Sequence, residues 1–190
     1  YIFYSTYAIK ISNFQFPMPT GRRAISNLGN ILDRWIIARL NETILSVTEN
    51  LDKYEIGDSA RDIEVLVDDL SRWYIRRSRR RFQKPENKEE LENASRVLGF
   101  ILSSVAKVCA PFIPFFSEAL HQSLGVKTES IHLEDWPAVD KKLIDRDLLE
   151  SMKEVRRISS LGLALRASLG IKVRQPLASL KFKSLKFKVS

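Results

Sequence analysis

Cysteine occurs once among the 190 residues, as Cys109, and histidine twice, as His121 and His132. A disulfide within the chain is therefore excluded, and nothing in the cysteine usage points to an oxidising compartment. One thiol and two scattered imidazoles leave no credible zinc site. Cys109 ends the apolar stretch Val105–Cys109, where a small core residue is expected. Glycine and proline number seven each, which favours long helices joined by few turns. No glycine-rich phosphate loop occurs. No Ser/His/Asp or paired-carboxylate constellation stands out, so no catalytic residue is assigned. Long hydrophobic runs are also missing. The opening stretch Tyr1–Ile11 is apolar and aromatic, but it lacks a basic leader and is far too short to span a bilayer. The chain begins at Tyr1 rather than Met, and it reads as a piece of something longer that starts partway along a helix.

What is present is an apolar fraction of 44% and a net charge of +8. The first supports a packed core. The second favours an anionic partner, nucleic acid or an acidic membrane surface; a merely basic soluble protein is the plainer alternative.

Helical periodicity is the strongest pattern. Leu32, Ile36, Leu40, Ile44, Val47 and Leu51 recur at three- and four-residue spacing, with Asn30 as N-cap and Asp33 in the first turn, where the helix dipole favours it. A second helix is predicted from Asp58 to Phe82, with Ile63, Leu66, Val67, Leu70 and Tyr74 on one face, stopped by Pro85. A third starts at Asn87, where Glu90 completes a capping-box pattern, and ends at Pro111. A fourth, Phe115–Leu124, follows Pro114 and stops at Gly125. Ser130–Pro137 reads as an extended link. A fifth helix runs from Asp140 or Asp145 to Ser168 and stops at Gly170. Ile171–Lys188 alternates loosely (Ile171, Val173; Leu180, Phe182), as a pair of short strands would. The fold expected is all-α, an antiparallel helix bundle over residues 1–168, followed by a junction over 169–190 with a short β or extended segment.

Ser71–Phe82 reads SRWYIRRSRRRF. At about 100° per residue, Arg72, Arg76, Arg79 and Arg80 gather on one side of a helix. Arg77 and Arg81 instead continue the stripe of Ile63, Leu66, Leu70 and Tyr74. Like charges four apart cost about 0.2–0.5 kcal/mol per pair, and phosphates would offset that through bidentate guanidinium contacts. Aromatics beside arginines, such as Trp73, Tyr74 and Phe82, can stack unpaired RNA bases. The other reading makes the aromatics core and pairs the arginines with Asp62, Asp68, Asp69 or Glu89. Both remain open on pattern alone, although Trp73 and Tyr74 lie near the core stripe.

Five segments, in order and spacing, resemble the anticodon-binding domain of isoleucyl-tRNA synthetases: LDRWIIARLN (32–41), WYIRRSRRRF (73–82), CAPFIPFFSEALHQSL (109–124), IHLEDWP (131–137) and IKVRQPL (171–177). The similarity covers Leu28 to Leu180, and more loosely Phe3–Phe14. Phe14–Ile31 agrees only in length and in its Asn-rich end. The valyl and leucyl enzymes share this bundle; the arginine-dense segment and the IKVRQPL junction favour the isoleucyl type.

The resemblance implies that the chain grips the anticodon stem and loop of tRNA-Ile, in a cytoplasmic parent enzyme that ligates isoleucine to tRNA with ATP and Mg. It implies no membrane and no stable protein partner, with a monomeric parent. The synthetase motifs of His-x-Gly-His and Lys-Met-Ser-Lys type are missing, so the chain itself is expected to hold no cofactor and catalyse nothing. Arg76, Arg77, Arg79, Arg80 and Arg81 are the candidate phosphate contacts, with Arg72 beside them. Trp73 and Tyr74 mainly fix the helix. Lys172, Arg174 and Gln175 at the junction are weaker candidates, as are Arg34 and Arg39, and Arg34 is better explained by a surface ion pair. His121 is expected on a helix surface. A protein-interaction bundle with incidental basic charge is the alternative from a different class.

Overall fold

Asn30, extended at φ −96°, opens the first helix by accepting the Leu32 N–H on its side-chain oxygen at 2.9 Å. The computed structural model describes residues 29–126, 128–179 and 181, which divide between Asp145 and Arg146 into two compact units. The expectations for Tyr1–Ile11, for Leu180 and for Phe182 onward lie outside the described residues.

In the first unit α1 spans Ile31–Asp52. The next helical run has three parts: α2 over Ile56–Asp68, a π-helical stretch over Asp69–Ile75, and α3 over Arg76–Gln83. Then come α4 (Lys88–Cys109) and α5 (Pro114–Ser123). Asn87 caps α4 by accepting the Glu90 N–H at 2.8 Å, and the Glu90 carboxylate returns to accept the Glu86 N–H at 2.8 Å. Pro114 sits in the first turn of α5, where its missing N–H costs nothing. Gly125 takes φ +67°, the left-handed conformation expected just past a helix end. The α1–α2 turn has no glycine at its left-handed position; Tyr54 occupies it at φ +61°.

The core forms around α1. Trp35, Ile36, Ile37, Leu40 and Val47 are fully buried with Leu66, Tyr74, Val97, Leu98 and Ile101. Each such aliphatic side chain contributes about 1.5–3 kcal/mol by leaving water. Cys109 is buried as expected, and that burial pushes its thiol up to about 11. Two expectations fail. Val67 is exposed, because Ile63 and Leu66 already fill the α2 core face. His121 is 1% exposed rather than on the surface, its Nε2 3.1 Å from the Thr128 carbonyl oxygen.

The link after α5 is only partly extended. Ile131–Leu133 forms a 3-10 turn capped by Ser130, and Glu118 of α5 holds its start by accepting the Ser130 hydroxyl (2.8 Å) and the Ile131 N–H (3.0 Å). Lys107 donates to Glu134 at 2.7 Å, and the Trp136 Nε1–H donates to the Thr48 hydroxyl at 2.9 Å. A second 3-10 turn, Lys141–Leu143, is tied to α1 where the Asp140 N–H meets the Asn41 side chain at 3.0 Å.

In the second unit α6 runs over Arg146–Ser168, and Gly170 follows at φ +66°. The expected strand at Ile171–Val173 is not formed, and no strand occurs among the described residues. The segment turns back on its own helix end instead. The Ile171 N–H bonds the Arg166 carbonyl at 2.9 Å, and the Arg166 guanidinium donates to the Gln175 carbonyl at 2.6 Å and 3.0 Å.

Glu118 links the α5 helix to the following turn through an acid-sensitive contact. Hydrogen bonds from Gln122, then Ser130, then the Ile131 N–H hold its carboxyl at about 2, below the ordinary 4.5. A carboxyl depressed in the folded state stabilises above its unfolded pKa and stops doing so as pH falls through the folded one. The stability advantage of the wild type over Glu118→Gln should therefore be present at neutral pH and fade between about pH 4.5 and 2. Chemical denaturation across that range tests it; an advantage undiminished at pH 2 would refute the assignment.

Candidate nucleic-acid interface

The arginine cluster lies on the run from α2 through the π stretch to α3. Along it Leu66, Leu70, Tyr74, Ser78 and Phe82 are buried, one every four residues. In an uninterrupted α-helix each four-residue step overshoots a full circle by about 40°, which would carry Phe82 about 160° away from Leu66. The wider turns of a π-helix absorb that drift, so all five keep facing the core. The same turns change which arginines face inward. Arg77, expected on the core stripe, is exposed, and Ser78 takes the buried place. The Arg77 guanidinium lies over the half-buried Trp73 ring, 5.2 Å from its centroid, in a cation–π contact.

Arg81 does turn inward, with a side chain only 11% exposed. Its two terminal nitrogens donate to the two oxygens of Asp33, each at 2.8 Å. Its Nε lies 3.5 Å from Glu90 at the start of α4. The Tyr74 hydroxyl, fully buried, donates to the same Asp33 carboxylate at 2.7 Å. Burial pushes the Tyr74 phenol well above its ordinary range, the Asp33 charge adds to that, and Arg81 opposes it. Burial also disfavours the Arg81 cation, but hydrogen bonding and attraction from Asp33 outweigh it and hold Arg81 protonated. Asp33 is thus a buried anchor, 1% exposed, where dipole reasoning saw only a first-turn acid. The signal that would have found it is its three- and four-residue spacing to Ile36, Ile37, Leu40 and Ile44, which are buried on the same face of α1.

A second pair runs the opposite way between the same elements. The Arg39 Nε of α1 donates to the buried Asp69, where the π stretch begins, at 3.0 Å, while its Nη1 meets Glu42 at 2.7 Å. Arg34 makes the ion pair expected of it, with Asp145 at 3.4 Å. Arg72 pairs with Asp68 at 2.6 Å on the surface, an exposed contact worth about 0–1 kcal/mol.

Arg76, Arg79 and Arg80 remain. All three are exposed, and none has a carboxylate within ion-pair distance among the described residues. They form an open guanidinium row on α3, with the Arg77–Trp73 pair next to it. Lys172, Arg174 and Gln175 belong to the second unit, on the exposed turn after α6, where the Gln175 N–H donates to the Lys172 carbonyl at 3.0 Å.

Residues 33–181 match the family model described as the anticodon-binding domain of tRNA ligase. Isoleucine–tRNA ligase of Dehalococcoides mccartyi is 41% identical over 186 residues, covering 95% of this chain and 18% of that protein. The isoleucine–tRNA ligases of Clostridium acetobutylicum and Clostridium tetani are 42% and 41% identical over 80% of this chain, which covers 15% of each. The chain thus spans less than a fifth of the length of these relatives, and its resemblance to the isoleucyl type holds over most of its residues.

The two sets of arginines should respond oppositely to truncation of what surrounds them. Asp33→Ala leaves the Arg81 charge buried without its partner and should cost about 3–5 kcal/mol of stability. Arg79→Ala, on the open surface, should change stability by less than about 0.5 kcal/mol. Urea denaturation of both variants decides this, and comparable losses would contradict the division.

Proposed function

Because the chain belongs to the family of anticodon-binding domains of tRNA ligases, we propose that it is the part of an isoleucine–tRNA ligase that grips the anticodon stem and loop of tRNA-Ile. The observation that carries this reading is the open row of Arg76, Arg79 and Arg80. Three guanidinium groups held within about one helical turn repel one another. Phosphate oxygens relieve that repulsion and accept their forked donors. Arg77 and Arg72 flank the row as further cations, each already engaged, with Trp73 or with Asp68. Trp73 supports the row through that stacked Arg77. Lys172, Arg174 and Gln175 add a second, weaker set of contacts from the other unit.

In this proposal the parent, a cytoplasmic enzyme of translation, performs the ligation with ATP and Mg in regions outside this chain. The chain supplies RNA affinity and holds no reacting group.

The Arg79→Ala/Arg80→Ala double variant tests this. Each lost phosphate contact lowers the slope of log affinity against log salt by about 0.7–0.9. The double variant should bind tRNA-Ile more weakly than wild type, with a slope reduced by about 1.5, and keep its helical circular dichroism. Unchanged affinity and slope would remove the row from the interface. Equal competition by tRNA-Val or tRNA-Leu would remove the isoleucyl assignment. No binding at low salt would leave a protein-interaction bundle as the reading.

A further inference from the structure

Arg81 belongs by sequence to the arginine cluster, yet its guanidinium is spent on Asp33. Losing one partner of that pair is costly, but the pair as a whole need not add net stability. A buried ion pair costs desolvation, and apolar side chains of similar volume often serve as well or better. What the pair adds is direction, because a bidentate guanidinium–carboxylate contact has one geometry whereas apolar packing tolerates rotation. Direction matters here because of the π stretch. A helix that can exchange π turns for α turns can slip by a residue, and each residue of slip rotates everything beyond it by about 100°. Asp33 grips the far end of that possible slip: Tyr74 lies near the end of the stretch, and Arg81 lies beyond it on α3. Arg39 holds the first residue of the stretch, Asp69.

We propose that Asp33 is a positioning residue for RNA recognition: it withdraws Arg81 from the phosphate-binding set and uses it, with the Tyr74 hydroxyl, to fix the rotation at which Arg76, Arg79 and Arg80 meet the RNA. This rests on the RNA-binding reading above. Asp33 touches no RNA in this account, yet it governs RNA affinity. Glu90, the remaining carboxylate at Arg81, braces the same guanidinium from the start of α4.

A double-mutant cycle on tRNA affinity tests it, using the 190-residue chain and tRNA-Ile at a temperature where circular dichroism shows every variant folded. Asp33→Asn and Arg81→Gln should each weaken binding about tenfold, and the two together should also weaken it about tenfold rather than a hundredfold, because both break one device. The apolar variant Asp33→Leu/Tyr74→Phe/Arg81→Met removes the network without leaving a buried charge. It should fold as stably as wild type and still bind about tenfold more weakly. If Asp33→Asn binds as tightly as wild type or tighter while Arg81→Gln is weaker, Arg81 is itself a phosphate ligand and the proposal fails. If every variant binds like wild type, the network is structural only and the proposal fails. A wild-type chain that does not bind tRNA-Ile at all overturns the RNA reading instead, which is a separate outcome.

Discussion

The carboxylate of Asp33, buried in the first turn of α1, is the constraint on which the arginine helix depends. It accepts three hydrogen bonds, one from Tyr74 and two from Arg81. A charged group this deep persists only when it is paired and its lone pairs are filled, and both conditions are met by residues of the run it anchors. That run carries its buried positions at four-residue intervals, a spacing an ordinary α-helix cannot keep on one face. The π turns correct the spacing, and Asp33 with Arg39 ties the corrected run to α1 at both ends. Ser78 and Phe82 then fall inward, and Arg76, Arg79 and Arg80 fall outward.

The cluster that helical counting splits into two faces therefore divides its labour further. Arg81 is a structural cation in a low-dielectric site, where electrostatic contacts are strong and loss of the partner is costly. Arg77 lies on an aromatic face, and Arg72 shares a surface carboxylate. Among the described residues the remaining three have no such engagement, and their exposed positions suit a highly charged, solvated ligand. A helix bundle with an open cationic row is a reasonable shape for meeting an RNA stem, whose phosphates lie on the outside.

Much of this was legible beforehand, and the physical reason differs by feature. Caps at Asn30 and Asn87, the Pro114 start and the Gly125 and Gly170 stops depend on local backbone chemistry, which a few adjacent residues encode. The α1 and α4 core stripes follow the helical period without interruption. The face of Arg77 was not legible, because a π stretch shifts the phase of everything after it and a count at 100° per residue carries no sign of it. Val67 failed because the α2 core face is narrower than its apolar pattern. His121 failed because a polar side chain is buried when a carbonyl outside its own helix, here that of Thr128 seven residues on, satisfies it. Asp33 was half legible: its position on the buried face could be counted, but its partners lie 41 and 48 residues away. The Ile171–Val173 alternation suggested a strand, yet a strand needs a neighbouring ladder, and Arg166 supplies a closer partner for that backbone.

A structure of the chain bound to the anticodon stem-loop of tRNA-Ile tests the central claim most directly. The account predicts backbone phosphates within hydrogen-bond distance of Arg76, Arg79 and Arg80, with Arg81 still seated on Asp33 and the π stretch intact. RNA bound on another face, or Arg81 swung away from Asp33 onto a phosphate, would contradict it.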